Sequence, residues 1–137
     1  MTIDRLYKNF EILSDWQGRY RFIIEMGQKI PKLDPADMTE ENRVHGCMSR
    51  VYMVVRITED DPPKITFVAN SDAAIVNGLI AILQIVYGGK TIEEIRGINI
   101  NEIMARLGLT KHLSPIRRNG FYSMVERLSN LASQATL

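Results

Sequence analysis

The segment between Ser71 and Gly88 carries apolar side chains on nearly every face of a helix, with few polar interruptions. We expect Ser71 to cap this helix and the glycine at 88 to end it, just after Tyr87. A helix that is apolar all round has to lie in the centre of a domain. It is shorter than the roughly 20 residues that a membrane span needs. The rest of the chain must therefore pack around it, and Gly78 is expected to let a second element approach closely.

Alternating apolar residues predict two strands on either side of a turn that contains two prolines. The first strand is expected over about 49–57, and the second is centred on Phe67. The two should pair antiparallel as a hairpin. A short third strand is expected at Val44. The predicted inward-facing positions are Val51, Met53 and Val55 in the first strand and Ile65, Phe67 and Ala69 in the second.

The other periodic segments predict helices that are separated by short breaks. Residues 32–41 are expected to form an exposed loop. The architecture is therefore α+β, with a small antiparallel sheet of two or three strands packed against several helices, in a single domain over residues 1–137. The predicted helices run over 3–13, from Asp15 to about Gly27, from Thr91 to Gly97 with a capping box at Glu94, from about Ile100 to Gly108, and onward from Ser114-Pro115.

The charge balance and the cysteine count exclude several classes of function. Seventeen basic and sixteen acidic residues leave a net charge of +1, so a general nucleic-acid or acidic-membrane binder is not expected. One cysteine cannot form an internal disulfide, and with two histidines it cannot build a zinc site. Charged residues within the first twenty positions argue against a signal peptide. A cytoplasmic location is expected.

Cys47 is the candidate functional residue, because it follows a glycine at the start of the first predicted strand. Gly46 permits a turn there, and the polar neighbours argue against a packed strand centre. His45 and Arg50 are expected to favour the thiolate, which is the nucleophilic form of cysteine. Two alternatives remain: a buried cysteine of purely structural function, and a cysteine hydrolase that uses His45 or His112 as its base.

Three segments resemble, in the same order, the SufE family of sulfur-acceptor partners of cysteine desulfurases. The resemblance extends from about Phe10 to Leu128, and Tyr52 stands where the family often has tryptophan. The segments are Gly46-Cys47-x-Ser49-x-Val51-Tyr52, then Asn70-Ser71-Asp72-Ala73-Ala74-Ile75-Val76-x-Gly78-Leu79, and Leu109-Thr110-Lys111-His112-Leu113-Ser114-Pro115-x-Arg117-x-x-Gly120.

The resemblance implies a SufE/NifU-like fold and a sulfur carrier. Cys47 would take sulfur from the persulfide of a SufS-type cysteine desulfurase and pass it to an iron–sulfur assembly scaffold. The pyridoxal phosphate belongs to the desulfurase, so the chain needs no cofactor or metal of its own, and a monomer or weak homodimer is expected. A sulfur donor in a related desulfurase pathway remains an alternative. The residues expected to bind the partner are Gly46, Ser49, Arg50, Asp72 and Arg117.

Two of these partner-binding residues have simpler interpretations. Arg117 lies in the first turn of the last helix, where the helix dipole disfavours a cation, yet it could belong to a solvated cluster or a salt bridge. Asp72 fits an ordinary first-turn acid.

We also expect the free protein to shelter Cys47. Gly46 would act as a pivot, while Met48 and the apolar strand face beginning at Val51 would receive the sulfur.

Overall fold

A computed structural model describes residues 1–135 of the chain, and over this range it has the expected α+β architecture. Two short 3₁₀ turns, Pro35–Asp37 and Glu40–Asn42, occupy the loop that was predicted over 32–41. The elements are α1 (Ile3–Ile12), α2 (Trp16–Gly27), β1 (Val51–Ile57), β2 (Lys64–Ser71), α3 (Ala74–Tyr87), β3 (Lys90–Thr91), α4 (Ile92–Arg96), α5 (Ile100–Arg106), α6 (Leu109–His112) and α7 (Pro115–Ala135).

The sheet contains the predicted hairpin. Strands β1 and β2 pair antiparallel from Val51 opposite Ser71 to Ile57 opposite Ile65. The third strand is β3, which pairs antiparallel with the start of β2 and gives the order β1-β2-β3. Because the apolar side chains alternate along both strands, one face of the sheet is buried under helices.

The prediction of a third strand at Val44 is wrong. Arg43 forms a single antiparallel bridge with Tyr52, and the amide of Val44 donates to the carbonyl of Val51 at 2.8 Å. The pairing stops there because the preceding residues, Glu40–Asn42, form a 3₁₀ turn. This short contact nevertheless closes residues 45–50 into a loop, and Cys47 lies on that loop.

Helix α3 is the centre of the molecule, as expected from its composition, and most of its residues from Gly78 onward are buried. It crosses α2 so closely that a Cβ atom on Gly78 would overlap the backbone of Ile23. A side chain on Gly27 would in turn overlap the backbone of α3. The expected close approach at Gly78 is therefore confirmed, and its partner is α2.

The prediction that Ser71 caps α3 is wrong, because the helix begins three residues later at Ala74. Ser71 is the last residue of β2, and its hydroxyl accepts a hydrogen bond from the amide of Ala73 at 3.2 Å. The side chain of Asn77 bonds both to the amide and to the carbonyl of Ser71. These bonds tie the end of the strand to the first turn of the helix.

Helix α7 packs against β1 and runs beside the cysteine loop. Ser114 caps its start as predicted, since its hydroxyl accepts from the amide of Arg117 at 3.3 Å. The capping box of Thr91 and Glu94 is also present at the start of α4. The fully buried inner positions of α7 are Phe121, Met124, Leu128 and Ala132.

Candidate functional site

The cysteine loop, residues 45–50, is held against the side of α7. Gly46 has a φ of 90°, a conformation that glycine adopts at little cost and other residues seldom do. A side chain at this position would also collide with the hydroxyl of Ser123 on α7. The backbone conformation therefore requires glycine at position 46, and the hydroxyl of Ser123 would have to move to admit a side chain there.

The thiol of Cys47 lies against α7 as well. It is half-buried, and its Sγ donates to the backbone carbonyl of Gly120 at 3.4 Å. A Cβ atom on Gly120 would lie 3.5 Å from that sulfur, which is ordinary van der Waals contact. A methyl group at position 120 would therefore fit beside the sulfur without overlap. The contact with the Gly120 carbonyl places the sulfur beside α7 without burying it completely.

The prediction that His45 and Arg50 favour the thiolate is wrong. Burial raises the pKa of the Cys47 thiol above its ordinary value, because an apolar environment disfavours the charged form. The imidazole of His45 instead faces the carboxylate of Glu40 at 3.6 Å. The free protein therefore favours the protonated, less nucleophilic thiol.

Cys47 lines a groove of about 400 Å³ between its loop, α3 and the first turns of α7. The expectation that Met48 and the apolar face of β1 shelter the sulfur of Cys47 is wrong. Val51 does not line this groove, and Met48 is exposed at its edge. The apolar walls come instead from α3 and α7. The groove is lined by Cys47, Met48, Ser49, Ala73, Ile75, Val76, Leu79, Ser114, Ile116, Arg117, Gly120, Phe121 and Met124.

Arg50 and Asp72 lie on a second groove, of about 470 Å³, with Met38 and Tyr52 among its lining residues. A carboxylate oxygen of Asp72 accepts from the amide of Arg50 at 3.1 Å. Asp72 precedes α3 rather than standing in its first turn, so its interpretation as a first-turn acid is wrong. Its carboxylate joins the end of the cysteine loop to the β2–α3 connection.

The structure brings the predicted site residues together only in part. Gly46 lies against Ser123 of α7. Cys47, Ser49 and Arg117 share the first groove, whereas Arg50 and Asp72 share the second.

The two histidines have other partners. His112 stacks on Trp16 with ring centroids 3.9 Å apart, and its carbonyl accepts a hydrogen bond from the hydroxyl of Tyr20. His45 is exposed beside Glu40. The thiol itself bonds to a carbonyl, which cannot act as a general base. The geometry therefore gives no support to a cysteine hydrolase.

Sequence reasoning did not identify Gly120 or Ile116 as site residues. The available signal for Gly120 was a glycine in the interior of a predicted helix, which often marks a close approach of another segment. For Ile116 no comparable signal existed. Among residues 1–135, no group of three or more His, Cys, Asp or Glu side chains is placed to hold a metal ion. No helix within this range is long and apolar enough to cross a membrane.

Comparisons with known proteins agree with this architecture. The family described as "SufE: Fe-S metabolism associated domain" matches residues 4–132. An uncharacterised SufE-like protein of Rhizobium meliloti (strain 1021) is 39% identical over 132 residues, covering 96% of this chain and 94% of the relative. A second uncharacterised SufE-like protein, from Rhizobium etli, is 42% identical over 129 residues, covering 93% of this chain and 86% of the relative.

A solved structure supports the fold. The solution structure of a hypothetical protein from Thermus thermophilus superposes with a TM-score of 0.77 and 19% identity, covering 98% of both chains. At this identity the likeness concerns the arrangement of helices and strands. It extends over all of the elements that form the two grooves.

Proposed function

Because the chain belongs to the SufE family of Fe-S metabolism associated domains, we propose that it is a sulfur acceptor that works with a cysteine desulfurase of the SufS type. Cys47 receives the sulfur and passes it on to an iron–sulfur assembly scaffold in the cytoplasm. The position of the single cysteine carries this proposal, since it is half-buried on a loop at the wall of an open apolar groove. A loop held by rigid elements can present such a side chain to a partner.

The transfer is a thiol exchange at the outer sulfur of the donor persulfide. The Cys47 thiol loses its proton, and the resulting thiolate attacks that sulfur. The bond between the two donor sulfurs breaks, and the desulfurase cysteine leaves as a thiolate that can take up the proton. Cys47 then carries the persulfide. No second cysteine exists in the chain to convert it into an internal disulfide.

The raised pKa of Cys47 fits a carrier that is inactive until its partner is bound. A protonated and partly covered thiol reacts slowly with stray electrophiles and oxidants. The desulfurase, which carries the pyridoxal phosphate, would supply both the sulfur and the environment in which the thiol ionises. The chain itself needs no cofactor for this step.

Arg117 is the residue at the groove that we expect to contact the desulfurase, through a carboxylate of the partner. Its side chain is exposed, and within residues 1–135 no acidic side chain forms an ion pair with it. Arg117→Ala should weaken binding of the desulfurase and leave the melting temperature unchanged or slightly raised. The slight rise is expected because a cation is removed from the positive end of α7.

Lys111→Ala is the matched control, because Lys111 is an exposed cation outside the groove. A clear fall in melting temperature for the Arg117 variant would contradict a specific contact between Arg117 and the desulfurase. Equal losses of binding in both variants would contradict it as well.

Desulfurase turnover tests the proposed function. Alanine release from cysteine is measured with the desulfurase alone, with the wild-type chain and with Cys47→Ser. The serine hydroxyl is not ionised near neutral pH and cannot attack a persulfide, so stimulation should disappear while the variant stays folded. Stimulation that survives the substitution would mean that the chain activates the desulfurase allosterically and does not accept sulfur.

A further inference from the structure

We propose that Met48 and Ile116 form an apolar rim that binds the desulfurase segment carrying the donor cysteine. This inference rests on the proposed function and adds the chemistry of the partner. The bound segment presents apolar side chains on both sides of its cysteine and a carboxylate toward Arg117. Met48 and Ile116 together are called the apolar rim below.

The exposure of the rim is the first observation. Five large hydrophobic side chains are exposed within residues 1–135, namely Met1, Ile12, Met38, Met48 and Ile116. Met48 is 82% exposed and Ile116 is 57% exposed, yet both line the groove that contains the thiol. Single exposed apolar residues are common, but two that border the same groove as the thiol make this edge a candidate interaction surface.

The position of the rim relative to the sulfur is the second observation. Met48 follows Cys47 in the chain. Ile116 stands one helical turn before Gly120, whose carbonyl holds the thiol. A donor sulfur that approaches Sγ along this groove would bring the segment that carries it against the two rim residues. A groove of about 400 Å³ has room for a few side chains of a loop.

The charge beside the rim indicates whether the groove binds a different protein or a second copy of this chain. Arg117 is exposed at the same groove. A two-fold dimer would place the same patch on both sides of the interface, which would bring in two Arg117 cations and no acidic residue from the lining of the groove. A partner with a carboxylate beside Arg117 avoids this excess of positive charge. The desulfurase segment is therefore the favoured occupant.

The test compares the double variant Met48→Ser/Ile116→Ser with Ile12→Ser, whose side chain is also exposed but lies outside the groove. Binding to the pyridoxal-phosphate-loaded desulfurase is measured by calorimetry. Loading of Cys47 by cysteine persulfide, a small donor that needs no docking, is measured by intact-mass spectrometry.

Burying each rim residue should contribute roughly tenfold to affinity, so the double variant should bind about a hundredfold more weakly. Its loading by cysteine persulfide should equal that of the wild type, and Ile12→Ser should match the wild type in both measurements. This result supports the rim as the docking surface.

Three results would overturn the inference while the proposed function stands. The double variant could bind the desulfurase as tightly as the wild type. It could lose loading by cysteine persulfide, which would mean that the rim acts on the thiol itself. Sedimentation could show a concentration-dependent dimer of the wild type that the double variant lacks, assigning the rim to self-association. If the wild type neither binds the desulfurase nor accepts its sulfur, the proposed function fails and the inference fails with it.

Discussion

Glycines lie at close contacts in two regions of this protein. An added side chain would meet backbone atoms in one region and side-chain atoms in the other. Where α2 crosses α3, side chains on Gly27 or Gly78 would overlap backbone atoms of the opposite helix. Where the cysteine loop meets α7, a side chain on Gly120 would meet the thiol of Cys47, and one on Gly46 would meet the side chain of Ser123. Backbone cannot move aside without shifting a helix, whereas a thiol or a hydroxyl can rotate. The helix crossing is therefore the more rigid of the two contacts, and we expect the loop contact to yield more easily.

The surroundings reinforce this difference. The residues of α3 from Gly78 to Leu83 are buried, and close packing of this kind tolerates little change in volume. The loop contact borders an open groove, and a single long hydrogen bond holds the sulfur to the helix. The first region belongs to the buried core, whereas the second leaves the thiol half-buried beside an open groove.

Gly78→Ala should have the largest effect on folding. Alanine usually stabilises a helix by roughly 0.5–1 kcal/mol relative to glycine, but here its methyl group would overlap the backbone of Ile23. Forcing extra volume into a packed interior typically costs about 1–3 kcal/mol. After the helix gain is subtracted, we expect the free energy of unfolding to fall by about 1–2 kcal/mol, measured by urea denaturation.

Gly97→Ala is the control for this prediction. Gly97 ends α4 with a negative φ, and the nearest atom to an added Cβ would be 3.6 Å away. This variant should be unchanged or slightly more stable. If Gly78→Ala were as stable as the control, the helix crossing would have the freedom that we assign to the loop.

Gly120→Ala should have a smaller effect on folding and a selective effect on the thiol. The added methyl group makes ordinary contact with the sulfur at 3.5 Å, so stability should be unchanged or raised by up to about 1 kcal/mol. Alkylation of Cys47 by a small maleimide should slow, because the methyl group covers part of the sulfur. A loss of stability comparable to that of Gly78→Ala would show that the loop contact is as rigid as the core.

The sequence predicted the helices and the hairpin better than it predicted the surroundings of Cys47, and the reason is physical. The all-apolar helix, the hairpin and the caps at Ser114 and Thr91 are encoded by residues that are close together in the chain. The walls of the thiol groove come from α3 and α7, which lie far from Cys47 in sequence. A glycine inside a predicted helix signals a close approach at Gly120, but it does not identify Cys47 as the neighbour, and the pairing of His45 with Glu40 has no local signal.

The smallest predicted effect is a shift in the pH dependence of thiol reactivity. Only the thiolate reacts with an alkylating reagent, and burial raises the pKa of Cys47 in the folded protein. The midpoint pH, at which the alkylation rate of Cys47 reaches half its maximum, should therefore be higher for the folded chain than for the same chain in denaturant. A folded midpoint at or below the denatured one would contradict a sheltered thiol.

Intact-mass spectrometry after incubation with the desulfurase and cysteine tests the central claim most directly. The wild-type chain should gain the mass of one or more sulfur atoms, the gain should need both the desulfurase and cysteine, and reductant should remove it. Cys47→Ser should gain nothing under the same conditions. A wild-type chain whose mass stays unchanged, or a serine variant that gains the same mass, would contradict sulfur transfer to Cys47.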